Sequence, residues 1–239
     1  MNQKTLNTLQ ELKLTGMHRA YQTVLHAHKN DVLTADELVQ LLVQSEWEER
    51  HNQKLIRLTR SAKFRYQASV EEITFPAKRN LDKNLFLRLA DCSFIDRKEN
   101  LLVTGPTGVG KSFLASAFGH QACSKGYKTS YFNIQKLFTK LAMAKADGSY
   151  VRELGKIEKK DLLIIDDFGL QSLDAHRRLE LLEIIEDRHG RKSTIICSQL
   201  PVNKWYEIIE DSTIADAILD RLVNGAHRLE LKGESMRKK

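Results

Sequence analysis

The residues Gly105-Pro106-Thr107-Gly108-Val109-Gly110-Lys111-Ser112 have the spacing G-x-x-x-x-G-K-S, and a later apolar run, Asp161-Leu162-Leu163-Ile164-Ile165, ends in two carboxylates, Asp166-Asp167. Glycines at that spacing let backbone N–H groups curl around a phosphate chain. A lysine at the position of Lys111 reaches the β and γ phosphates, and the Ser112 hydroxyl is placed to ligate Mg²⁺. Gly105, Pro106, Thr107, Gly108, Val109, Gly110, Lys111, Ser112 and Phe113 are therefore the candidate nucleotide-binding residues. Asp166 is the candidate partner of Ser112 at Mg²⁺, holding its hydration shell, and Asp167 is the candidate that polarises the attacking water. The two motifs together point to binding and hydrolysis of ATP or a similar triphosphate.

Such groups meet only if both motifs lie at the carboxyl ends of strands in a parallel sheet, where ligands bind in open α/β folds. The pattern predicts strands at 100–104, 128–133, 161–166, 193–198 and 227–231 with helices between them, a βαβ series. Gly126 and Gly190 stand where helix C-caps need a left-handed residue. Upstream, residues 1 to 70 contain no proline and one glycine, Gly16, and Leu6, Leu9, Leu12 and Leu14 recur at helical spacing. Thr34-Ala35-Asp36-Glu37 is a capping box before a further apolar series. The pattern breaks at Phe75-Pro76. The expected organisation is a small all-helical domain over 1–75, for a partner or DNA, and an α/β domain over 76–239.

The chain of 239 residues has 38 Lys and Arg against 31 Asp and Glu, a net charge of +7 that favours a polyanionic partner. Arg50, Lys54, Arg57, Arg60, Lys63 and Arg65 would form a winding basic strip on a helix, either contacting phosphates or solvated and balanced by Glu46, Glu48 and Glu49. Cys92, Cys123 and Cys197 lack metal-ligand spacing and read as buried thiols of a reducing compartment. The histidines form no metal motif. No apolar run nears the ~18 residues of a membrane span, and the polar start lacks a signal-peptide core, so the expectation is a cytoplasmic protein with no membrane role. Asn203-Lys204-Trp205-Tyr206 lacks the aspartate of a guanine-binding N-K-x-D, L-S-G-G-Q is absent, and no arginine-rich lid is evident. These omissions leave the oligomeric ATPases, and a homo-oligomer is expected.

Several further segments resemble the AAA+ class and, within it, the IstB-like transposition helper ATPases, relatives of the DnaC-type helicase loaders. They are Leu12-Lys13-Leu14-Thr15-Gly16-Met17, the loop from Gly105 to Ser112, Leu162 to Gly169, Ser198-Gln199-Leu200-Pro201 with Trp205, Asp220-Arg221-Leu222, and Lys232-Gly233-Glu234-Ser235-Met236-Arg237. The resemblance implies an AAA+ P-loop domain with a five-stranded parallel sheet and no C-terminal lid. It also implies an ATP-driven oligomer that binds DNA, hydrolyses ATP and assists a cognate transposase. The alternatives are a DnaC-type loader with a replicative helicase as partner, and a nucleotide-gated adaptor with negligible hydrolysis.

By the same resemblance Gln199, or Ser198 beside it, is the sensor-1 residue, and Asp166-Asp167 departs from the Asp-Glu of many AAA+ proteins. Arg221 is an arginine finger for a neighbouring subunit, or else it pairs with Asp220 or Asp216 on its own helix. Arg237 is a sensor-2 residue or part of a solvated tail. The segment 134–160 corresponds to an inserted helix facing the central channel, which makes Lys136, Lys140, Lys145, Arg152 and Lys156, with Lys159 and Lys160, candidate DNA contacts or a solvated face.

Overall fold

The computed structural model describes residues 2–27 and 33–236. It divides into two compact units, Met1–Arg57 and Leu58–Lys239.

The first unit holds α1 (Asn2–Glu11), α2 (Thr15–His26) and the first part of α3 (Ala35–Ala62). The capping box forms as its residue types require: Thr34 N and Oγ1 donate to Glu37 Oε2 at 2.7 and 2.8 Å, and Glu37 N donates to Thr34 Oγ1 at 3.3 Å. The start of α2 lies against α3. Gly16 N and Met17 N donate to Glu46 Oε2 at 2.9 and 3.3 Å, satisfying orphan N–H groups of the helix end. A Cβ on Gly16 would fall 2.3 Å from the Ser45 carbonyl oxygen, so the approach of the two helices requires glycine there.

The second unit begins within α3, upstream of the Phe75-Pro76 break. Ala68 and Ile73 are buried in its core, and Phe64, Tyr66, Val70 and Phe75 pack against it, so these apolar residues tie 64–75 to the α/β unit. A 3₁₀ turn (Ala77–Arg79), α4 (Lys83–Ala90) and α5 (Ser93–Asp96) follow. Then comes the alternating series β1 (Leu101–Thr104), α6 (Lys111–Ser124), β2 (Thr129–Asn133), α7 (Ile134–Ala146), α8 (Tyr150–Glu158), β3 (Leu162–Phe168), α9 (Ala175–Arg188) and β4 (Ser193–Ser198). After a 3₁₀ turn (Val202–Lys204) the chain ends in α10 (Trp205–Ile209), α11 (Ser212–Val223) and β5 (His227–Glu230). Gly126 and Gly190 follow α6 and α9 with φ of +90° and +66°, as their positions led one to expect.

The five strands form one parallel sheet in the order β2-β3-β4-β1-β5. Both faces are covered, which is why its strands are apolar runs. Successive side chains alternate between two cores. Leu101, Val103, Leu162, Ile164, Ile195 and Cys197 join the core that includes α6 residues, while Leu102, Leu163, Ile165 and Ile196 join the core built with α7 to α11. Arg188 on α9 is 1% exposed and satisfied by the carbonyls of Ile157, Lys160 and Ser193 and the Thr194 hydroxyl, pinning α8 and α9 to the start of β4. The three cysteines are buried and free, and burial pushes the Cys92 thiol up to about 12. No helix of the described residues is long and apolar enough to cross a membrane.

Candidate nucleotide-binding site

The strand order creates the site. Because β4 lies between β1 and β3, Ser198-Gln199 at its carboxyl end stands between the loop that follows β1 and the carboxylates that close β3.

In the loop, Gly108 has φ +86°, and a Cβ there would meet Ser235 Oγ at 2.1 Å, so no larger residue fits. Gly110 is the left-handed N-cap of α6, whose N-terminus faces the loop. Lys111 is 7% exposed and its Nζ donates to the carbonyls of Gly105 and Pro106 at 2.7 and 2.8 Å, holding the ammonium inside the curve of the loop. Val109 is buried in the core and anchors the loop from below. Residues 231–236, the end of the expected last strand and most of the terminal motif, lie across the loop: Leu231 N donates to Thr104 O at 2.8 Å and Met236 N to Gly108 O at 3.0 Å.

A cavity of about 340 Å³ opens beside the loop, within the size range of small-molecule sites. Thr107, Gly108, Gly110, Lys111, Ser112, Phe113, Asp167 and Gln199 line it, together with Tyr66, Ile73, Arg79 and Met236. The lining therefore combines loop backbone, lysine and hydroxyl with apolar and aromatic side chains and with the charged Arg79 and Glu72. Thr107 Oγ1 donates to Gln199 Oε1 at 2.7 Å. Ser198 instead turns away, donating to Phe168 O at 2.8 Å and accepting from Leu200 N. Of the two sensor candidates, Gln199 is the one at the cavity.

The carboxylates occupy a bulge, for the β3–β4 register shifts between Ile165 and Phe168, and Asp167 has φ +60°. Aspartate tolerates the left-handed region better than most residues with side chains, a physical reason for Asp rather than Glu at this position. Asp166 is 1% exposed. Its Oδ1 accepts from Asp167 N at 2.9 Å, and its Oδ2 accepts from the Tyr131 hydroxyl and from Arg65 Nη1 at 3.4 Å. Asp167 Oδ2 accepts from Asn133 Nδ2 at 2.8 Å and from Arg65 Nη1 at 3.1 Å. Burial, then Asp166, pushes the Tyr131 phenol far above its usual range, so it remains a donor.

Among the described residues no group of three or more His, Cys, Asp or Glu is placed to hold a metal. The oxygen donors Ser112 and Asp166 suit Mg²⁺ nonetheless, because that ion keeps several waters and takes one or two protein oxygens plus substrate phosphates.

Among the described residues, Arg221 and the expected cations of α7 and α8 do not line the cavity. Arg221 on α11 donates to Ala217 O at 2.8 Å and pairs with Glu186 on α9 at 2.9 Å, rather than with Asp220 or Asp216. Lys140 and Lys156 both pair with Glu153, at 2.6 and 2.5 Å, tying α7 to α8. Lys145 pairs with Glu180 at 2.8 Å and lies 4.7 Å over the Tyr150 ring. Lys136 and Arg152 are exposed and have no ion pair among the described residues. Arg237 lies outside the described residues.

Sequence reasoning missed three groups at the carboxylates. Arg65 was grouped with the basic strip, but α3 ends at Ala62 and the arginine turns to Asp166, 101 residues ahead, a pairing with no local signal. Tyr131 reads as an ordinary strand residue. Asn133 had a usable sign, since its place between β2 and α7 makes it an N-cap, with Oδ1 accepting from Gln135 N at 3.1 Å, while its Nδ2 serves Asp167.

Comparison with known proteins agrees with this geometry. Residues 7–239 match the family described as IstB-like ATP binding protein. An insertion sequence ATP-binding protein of Sinorhizobium fredii is 46% identical over 98% of this chain and 96% of the relative. The ATP-binding protein of insertion sequence IS1162 from Pseudomonas fluorescens is 43% identical over 84% of this chain and 87% of its own. The crystal structure of the DnaC helicase loader superposes with a TM-score of 0.57 at 20% identity, covering 70% of this chain and 98% of that one, a likeness of fold. A phosphate loop and carboxylate pair on a five-stranded parallel sheet, in a chain similar throughout to insertion-sequence ATP-binding proteins, place it in the IstB-like ATP-binding protein family.

Proposed function

We propose that this protein is an ATP-dependent DNA-binding helper that assists a transposase, assembling into a homo-oligomer on ATP and hydrolysing it to release that state. The observation that carries the reading is the cavity that brings Lys111, Ser112, Asp167 and Gln199 together, in a chain whose relatives are named for insertion sequences. Loop N–H groups and Lys111 would bind the phosphates, and Tyr66, Ile73, Phe113 and Met236 would offer apolar surface to the base. Ser112 and Asp166 would hold Mg²⁺, which supplies charge neutralisation at the β and γ oxygens. Asp167, fixed by Asn133, would accept a hydrogen bond from the attacking water. Gln199, bridging to Thr107, would report the state of the loop. Arg221 would complete the site of a neighbouring subunit.

The likeness to DnaC supports a helicase-loader reading by fold alone, at 20% identity, whereas relatives at 46% and 43% support the transposition reading. ATP turnover by the full chain, measured with and without duplex DNA and a cognate transposase, tests the proposal. Stimulation by DNA and co-purification with the transposase are expected. Turnover at the buffer rate in every mixture would leave only a nucleotide-gated adaptor.

A further inference from the structure

The short segment after α3 carries an arginine into the heart of the site. Lys63 takes φ +58°, which ends the helix and turns the chain. Phe64 then packs on α6, where a Cβ on Gly119 would fall 2.3 Å from Phe64 Cε1, and its ring lies 4.4 Å from that of His120. His120 Nε2 is also 3.2 Å from Tyr66 O. The backbone on both sides of Arg65 is thus clamped to the helix that begins at Lys111.

From that clamp Arg65 Nη1 bridges two carboxylates, 3.1 Å from Asp167 Oδ2 and 3.4 Å from Asp166 Oδ2. The arrangement is asymmetric in exposure. The Asp166 side chain is 1% exposed and that of Asp167 21%, but that of Arg65 is 39% exposed, so the arginine has a path to water that Asp166 lacks. The oxygens that Arg65 occupies include one on the residue that would serve Mg²⁺. A divalent ion arriving there meets a like charge a few ångströms away and an oxygen already accepting two hydrogen bonds, from Tyr131 and Arg65.

We infer that Arg65 is a displaceable counter-ion of Asp166 and Asp167. It positions both carboxylates before the metal–nucleotide arrives and gives way when it binds, so its presence raises the Mg²⁺ concentration the site requires. The inference rests on the nucleotide reading above and adds a residue that sets the metal threshold of that site. Tyr131 and Asn133 remain as donors when the arginine leaves, which keeps the carboxylates oriented.

The test uses the full chain as wild type, Arg65→Ala and Arg65→Lys, with binding of a fluorescent ATP analogue followed by anisotropy across a Mg²⁺ titration. Arg65→Ala is expected to lower the Mg²⁺ midpoint about two- to fivefold, the scale of one partly exposed ion pair. Arg65→Lys, which keeps charge but loses the planar fork, shifts it less in the same direction. Thermal melting gives an independent readout: Arg65→Ala melts lower than wild type without nucleotide, and the gap narrows with Mg²⁺ and analogue present. A lower melting temperature in both conditions with an unchanged midpoint would make Arg65 merely structural. A raised midpoint, or weaker analogue binding at saturating Mg²⁺, would make it a phosphate contact; either result overturns the inference. If wild type binds no analogue at any Mg²⁺ concentration, the nucleotide reading itself falls and takes this inference with it, whereas binding with equal midpoints refutes the counter-ion alone.

Discussion

Removing the Arg221 guanidinium separates two roles that its surroundings allow. In the isolated chain it is paired with Glu186 at 2.9 Å, with side-chain exposures of 26% and 54%, so the pair contributes at most ~1 kcal/mol. A finger reaching a neighbour's γ-phosphate is worth about 10³ to 10⁵ in rate, roughly 4–7 kcal/mol at ~1.36 kcal/mol per tenfold. Leaving Glu186 is therefore cheap beside the gain, and the ion pair is no obstacle to the finger role. Arg221→Ala is expected to cut turnover of the assembled protein by about 10³ or more while changing the ATP affinity of a dilute subunit less than about twofold. Glu186→Gln, which only frees the arginine, should alter turnover by no more than about fivefold. Steady-state phosphate release, with nucleotide affinity measured separately on dilute protein, reads both. Mixing Arg221→Ala with Lys111→Ala subunits should restore part of the activity, since some interfaces then pair an intact loop with an intact arginine. No rescue in mixtures shown by light scattering to co-assemble would refute the finger.

Lys111→Ala is expected to abolish ATP binding, whereas Asp167→Asn should retain ATP, slow turnover and prolong the assembled state; equal loss of binding in both would contradict the division of labour between the motifs. Lys136 and Arg152, the exposed cations of α7 and α8 without ion pairs, should carry phosphate contacts, so their double alanine variant flattens the log K against log salt slope by about two units per engaged subunit on duplex DNA. An unaltered slope in a variant that still assembles moves DNA contact elsewhere. Hydrogen bonds from Lys140 and then Lys156 hold the Glu153 carboxyl down at about 2, below its unfolded value near ~4.3, so its stabilisation is present above that range and is lost as pH falls from it toward the folded value. The melting-temperature gap between wild type and Glu153→Gln should be constant above about pH 5 and shrink below ~4.3; a gap independent of pH would exclude the ionised pair as its source.

The sequence by itself carried whatever depends on local pattern. The loop from Gly105 to Ser112, the strands, the helix caps after α6 and α9 and the capping box at Thr34 follow from turn chemistry and hydrophobic period, which act within a few residues. It also carried the five-stranded parallel architecture, because a βαβ series admits few alternatives. Tertiary structure decided the rest. The order β2-β3-β4-β1-β5 set Gln199 rather than Ser198 at the cavity and laid residues 231–236 on the phosphate loop. It turned Arg65 out of the basic strip and onto Asp166 and Asp167, and committed Lys140, Lys145 and Lys156 to carboxylates on neighbouring helices. A charged side chain advertises its type in the sequence, but its partner is whichever opposite charge the packing of distant apolar faces brings within reach, and that distance is fixed only when the chain has folded.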